Sequence, residues 1–331
     1  MGAVSRPMLI GVLALITLIA AMGSLAIGPA PLSLTRMADT LRGADDPIAR
    51  TILFELRVPR TILALLVGAV LGTAGAALQG YLRNPLAEPS VLGASTAASL
   101  GAVIALYFGF AMISPILLPG FAVAGAMIGL VPLFLLAARS ESPLTLILAG
   151  IAISTLATAG VSLALNLSPN PFAAMEITNW LMGALEDRSF QHVWIALPCI
   201  SIGMALLLWN GRALDALTLG EDGARALGVD LKRTRLRLLA GVAVGVGGAV
   251  AVSGAIGFIG LIVPHLIRPL TDRSPSAVLW PSALGGAALL TLADIMVRLI
   301  PTSSQLKLGV VTAFLGVPIF LFHLIKERRL W

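Results

Sequence analysis

The residues best placed for chemistry are few and mostly cationic. In ELRVPRTILALLVG (55–68), Arg57 and Arg60 stand directly before a long apolar stretch. In LLTLADIMVRLIPTSSQ (289–305), Asp294 and Arg298 lie four residues apart. That spacing puts both on one helix face, close enough to pair. An ionisable pair inside an apolar helix is either a functional site or a structural neutralisation, and the spacing fits both. Guanidinium groups carry forked N–H donors that grip carboxylates two bonds at a time; snorkelling to a membrane boundary is the plainer use of Arg57 and Arg60. Covalent chemistry has less support. No serine sits in a nucleophile motif. His192, His265 and His323 are far apart in sequence, without Cys or carboxylate neighbours at ligand spacing, so no metal site is expected. No G-x-x-x-x-G-K-[ST] occurs, so the chain has no ATP-hydrolysing loop of its own, and catalysis is not expected.

The elements that must position these residues are membrane helices. Of 331 residues 58% are hydrophobic and 11% charged, and the mean hydropathy is +0.97. A water-soluble domain needs about twice that charge. The apolar residues fall into runs near the ~20 residues that cross a bilayer as a helix, and they lack the alternation of barrel strands. The expected fold is an all-α polytopic bundle, one transmembrane domain over 1–331, with ten spans: 8–28, 61–80, 90–109, 119–138, 144–166, 192–209, 236–254, 256–271, 278–297 and 309–325. The eighth is short and broken by Pro264. The first resembles a signal peptide in outline, but its apolar run is longer than a usual signal core, and it is read as a retained helix.

Charge sets the orientation. With the N-terminus inside, fourteen of the 22 Lys and Arg residues fall in inner loops and eight outside, whereas the sixteen acids divide equally. The net charge of +6 therefore belongs to the inner face, as the positive-inside rule requires. Arg57, Arg60, Asp294 and Arg298 then lie at the outer end. Basic residues scattered among loops, without aromatic platforms, do not read as a nucleic-acid surface. Cys199 is the only cysteine and lies within an expected span, so no disulfide framework is expected. Abundant glycine, in runs such as GAVLGTAGAALQG and GVAVGVGGAV, reads as close helix packing.

Two inner segments stand out. NGRALDALTLGEDGARALGVDLKRTR (210–235) holds Glu221 and Asp222 just after Gly220, where acids suit a helix N-terminus, and Gly228 as a stop. The result is a helix of two or three turns, either an ordinary connector or a rigid knob for a cytoplasmic partner. YLRNPLAEPSVLGAS (81–95) reads as a tight inner turn, through Asn84-Pro85 and Glu88-Pro89.

Seven collinear blocks carry a family resemblance: ELRVPRTILALLVGAVLGTAGAALQGYLRNPLAEPSVLGAS (55–95), LILAGIAIS (146–154), NWLMGAL (179–185), LTLGEDGARALGVD (217–230), SGAIGFIGLIVPHLIR (253–268), LADIMVRLI (292–300) and GVVTAFLGVPIFLFHL (309–324). Together they resemble the FecCD-type permeases of type II ABC importers, which take up iron-siderophores, haem or cobalamin. The resemblance implies ten helices per subunit, a paired permease (identical or related) with the path at its interface, and two separate cytoplasmic ATPase subunits that use ATP and Mg. It also implies an outer substrate-binding protein that docks through acidic residues on Arg57, Arg60 and Arg298. The coupling helix of the family matches Leu219–Asp230, with Leu219, Gly220, Glu221, Ala224, Arg225, Leu227 and Gly228 at the ATPase contact. The location implied is the bacterial inner membrane, with both termini cytoplasmic, lipid around the bundle, no nucleic-acid partner and no cofactor held by this chain. A ferric siderophore is the expected cargo, with haem and cobalamin as alternatives; an ion-coupled secondary transporter is the rival reading. The chain departs from the family at Gln305-Leu306-Lys307, where Glu-Leu-Pro is common, and Lys307 adds a cation near the docking face. SESPLT (140–145), where the family places a gate, matches no fixed motif.

Overall fold

A computed structural model describes residues 5–139, 143–300 and 306–328. Residues 140–142, Gln305 and the last three residues, including Arg329, lie outside them.

Helix α1 (Arg6–Ala26) leads to a segment with two short helices, α2 (Leu34–Leu41) and α3 (Pro47–Arg50). A π-helical turn, Thr51–Arg57, runs without a break into α4 (Val58–Leu82). Then come α5 (Ala94–Tyr107), α6 (Phe110–Ile113), α7 (Leu117–Arg139), α8 (Pro143–Asn166), α9 (Pro171–Leu181) and α10 (Phe190–Trp209). Two short helices, α11 (Gly211–Leu217) and α12 (Glu221–Ala226), precede α13 (Leu231–Ser253). The chain ends through α14 (Ile259–Ile267), a 3-10 turn Arg268–Leu270, α15 (Pro275–Leu299) and α16 (Leu308–Arg328).

Every expected span coincides with a helix, but the lengths differ. Among the described residues, seven helical stretches are long and apolar enough to cross a membrane, whereas Ala94–Tyr107 and Ile259–Leu270 are shorter. The expected span 90–109 shortens because the 83–93 link is not a simple surface turn. It folds back into the bundle, with Ala87 and Leu92 buried and the Ser90 carbonyl accepting from Ser154 Oγ at 3.0 Å.

Helix α4 is the buried axis, and α15 is its main neighbour. Gly68 and Gly72 face Ser282 and Gly286, so that a Cβ on Gly68 would strike the Gly286 backbone. This is the small-xxx-small contact that lets two membrane helices touch through their backbones. Helix α14 crosses α4 in the same way, Gly75 against Gly260. Pro264 has no N–H to donate to the Gly260 carbonyl one turn back. Gln79, 1% exposed, serves that region instead: its Nε2 donates to the Gly260 and Leu261 carbonyls at 3.5 and 3.2 Å. Its Oε1 accepts from Arg268 at 3.1 Å. The broken eighth span is therefore held by a side chain of the central helix.

Candidate functional site

The arginine cluster is built where α1 and α15 end and α4 begins. Asp294, with no exposed surface, lies on α15 and receives both flanking cations. Arg60 donates through Nε to the two Asp294 oxygens at 3.1 and 3.0 Å, and through Nη2 at 2.8 Å. Arg298 donates to Asp294 Oδ2 at 2.6 Å, confirming the pair read from the i,i+4 spacing. The link to Arg60, 234 residues away, is what the sequence did not disclose.

The remaining donors close the end of α1. A helix leaves its last carbonyls without partners in the helix itself. Arg298 Nη1 takes the Ser24 and Ile27 carbonyls at 2.8 and 2.7 Å. Arg57 Nη1 takes those of Leu25 and Ala26 at 2.7 and 2.8 Å, and its Nη2 takes Ala30 at 2.7 Å. Gly28 lies flat on the Arg57 guanidinium, where a Cβ would come within 2.9 Å of Nε. Arg57 and Arg60 are only 5% and 9% exposed, so neither is a long side chain waving in solvent.

A cavity of about 110 Å³ opens beside the cluster, lined by Arg57, Arg60 and Arg298 together with Glu186, Asp187 and Arg188 of the loop before α10. Arg57 Nε and Arg188 Nε are buried without a hydrogen-bond partner. Burial pulls Arg188 below the usual arginine range, and Asp187 and Glu186 work against that shift. Arg188 is the member of the lining that motif reading missed. Its only sequence signal was position, three residues past the block NWLMGAL. Lys307, expected as an added cation here, is neutralised by Glu186 at 2.7 Å.

At the other end lies the 211–230 segment. Gly220 (φ 92°) and Gly228 (φ 81°) bracket α12 in the left-handed region, and a Cβ at either would meet open space, so conformation alone calls for glycine there. Val229 N–H donates to Ala224 O and Gly228 N–H to Arg225 O, which closes the helix C-terminus. Glu221 and Asp222 occupy the first turn and both pair with Arg225. Ala224 is fully buried, whereas Leu219 and Leu227 are 69% and 64% exposed. The helix is shorter than the two or three turns expected, and α11 before it was not foreseen.

Two long helices connect the ends. On α15, Ser276 N–H donates to Asp215 of α11 at 2.8 Å, and Arg298 lies 22 residues on, about 33 Å away at 1.5 Å per residue. On α4, Gly80 packs beside Leu214, and Tyr81 Oη accepts from Arg235 Nε at 2.6 Å. Arg60 is 21 residues earlier, about 32 Å away by the same rise. The arginine cluster and the 211–230 segment therefore occupy opposite ends of the bundle. Among the described residues no group of His, Cys, Asp and Glu could hold a metal ion.

A model of the FecCD transport family matches residues 15–326. An uncharacterized ABC transporter permease protein, YvrB of Bacillus subtilis, is 40% identical over 87% of this chain and 82% of its own length. The vitamin B12 import system permease protein BtuC of Vibrio cholerae is 40% identical over 85% of both chains. A solved chain described as an inward-facing conformation of a metal-chelate type ABC transporter superposes with a TM-score of 0.87 at 32% identity. The match covers 97% of this chain and 99% of that one.

Proposed function

The chain belongs to the FecCD transport family and is a multi-pass permease subunit of a type II ABC importer, and from that premise we propose how its two ends work. The carrying observation is that α4 and α15 each join the arginine cluster to the 211–230 segment. A substrate-binding protein loaded with cargo docks at the outer end, where a carboxylate entering the cavity meets Arg57 and Arg188. Arg60 and Arg298 stiffen that platform through Asp294. At the cytoplasmic end Leu219 and Leu227 enter a groove of a separate ATPase subunit, with Gly220, Glu221, Ala224, Arg225 and Gly228 setting the shape of the knob. Two permease subunits form the path between them, and ATP with Mg is consumed by the partner ATPases. Closure of the ATPases pushes α12, and the push reaches the outer end along α4 and α15 as rigid rods.

The cargo in this reading is a large metal chelate. Cobalamin is the first choice, since relatives at 39–40% identity are vitamin B12 permeases. The ferric siderophore expected from the sequence is the second. Uptake of labelled cobalamin, ferric siderophore and haem into vesicles holding the whole complex separates them: ATP-dependent accumulation of one sets the cargo, and accumulation of none overturns the importer role. An ion-coupled rival would need carboxylates free to bind ions at mid-membrane, whereas Asp294 is saturated by two arginines.

A further inference from the structure

A basic cavity borders the 211–230 segment. It has a volume of about 460 Å³ and is lined by Trp209, Arg212, Leu227, Asp230, Arg233 and Arg237 among others. Trp209 is the last residue of one apolar span and Leu231 the first of another, so the cavity sits where hydrocarbon gives way to water. The Arg237 guanidinium stacks 5.5 Å from the Trp209 ring centroid. Stacking uses the face of the guanidinium and leaves its N–H edge for another acceptor. Arg233 spends Nε on Asp230 at 3.0 Å, and Arg212 is exposed. The lining thus holds three cations and one acid.

The surround is apolar and outward. Trp209 is 74% exposed, Ile202 one stripe-length earlier on α10 is 54% exposed, and Leu236 beside Arg237 is 54% exposed. A tryptophan at a span end with arginines beside it is the composition of a headgroup-level belt. Basic pockets between helices on this side of a membrane take anionic headgroups. We infer that this cavity binds an anionic phospholipid of the cytoplasmic leaflet, its phosphate held by Arg212 and Arg237 and its acyl chains lying along the Ile202–Trp209 face. Leu227 lines the same cavity, so the lipid would buttress the coupling segment from the membrane side. The leaflet assignment rests on the orientation proposed above; the binding itself does not require the ATPase.

The test uses the full-length permease in neutral detergent, with and without its ATPase, titrated with phosphatidylglycerol or phosphatidylcholine and read by native mass spectrometry. Wild type is expected to prefer phosphatidylglycerol about tenfold or more, two basic residues each contributing near the surface. Arg212→Gln/Arg237→Gln should abolish the preference, while Lys232→Gln, outside the cavity lining, should retain it. Equal binding of the two lipids by wild type, or displacement of phosphatidylglycerol by millimolar inorganic phosphate alone, would overturn the proposal. So would an unchanged preference in the double variant, including the case where that variant loses only ATPase association, since the cavity would then serve a protein surface.

Discussion

Asp294→Asn is the most informative single change at the arginine cluster. The carboxylate has no exposed surface and receives four guanidinium hydrogen bonds, from Arg60 and Arg298. Asparagine keeps the volume but removes the charge, and its amide N–H₂ would confront guanidinium donors. Two buried cations would then lose the carboxylate they share. Removing one partner of a buried pair costs about 3–5 kcal/mol, and Arg298 would also lose its hold on the end of α1. The assay is unfolding of the purified permease in mixed micelles beside wild type, Asp294→Glu and Arg60→Gln/Asp294→Asn. Asp294→Asn should lose about 3–5 kcal/mol, and the double variant should recover part of it, with a coupling above about 1 kcal/mol. A loss under about 0.5 kcal/mol for Asp294→Asn, the range of neutral surface changes, would refute the claim that this carboxylate anchors the cluster.

Arg57→Gln and Arg188→Gln should each weaken docking of the substrate-binding protein about tenfold to a hundredfold, the worth of a hydrogen bond to a charged group, and surface plasmon resonance at low salt measures it. Leu227→Asp, at a 64% exposed apolar position, should cut ATPase co-purification while leaving the permease folded. Gln79→Leu removes the donor that serves the Gly260 and Leu261 carbonyls and should destabilise the bundle by about 1–3 kcal/mol, readable in the same unfolding assay. Gly68→Leu should prevent α4 from meeting α15, giving aggregated or degraded protein on size-exclusion chromatography.

The bundle was legible because hydrocarbon thickness dictates run length, and each expected span found a helix. What local reading missed came from distance along the chain. Asp294 and Arg298 announce each other at i,i+4, but nothing near Arg60 points to residue 294. The re-entrant packing of 83–93 was invisible for the same reason: Asn84-Pro85 and Glu88-Pro89 fix a turn, whereas the depth to which it sinks depends on Ser154 and Gly260. Arg57 and Arg60 were expected as surface cations, yet their burial follows from the orphan carbonyls of α1 and the carboxylate of α15. Gly220 and Gly228 were read correctly because helix ends are a local matter of backbone sign.

The two-ended mechanism requires the arginine cavity and the exposed face of α12 to open to opposite sides of the membrane. Place single cysteines at Leu56, beside the cavity, and at Leu227 in a Cys199→Ser background, then treat intact cells with a membrane-impermeant thiol reagent. The Leu56→Cys protein should label at once and the Leu227→Cys protein only after the membrane is opened. Labelling of both from the same side would contradict the two-ended arrangement and the importer mechanism built on it.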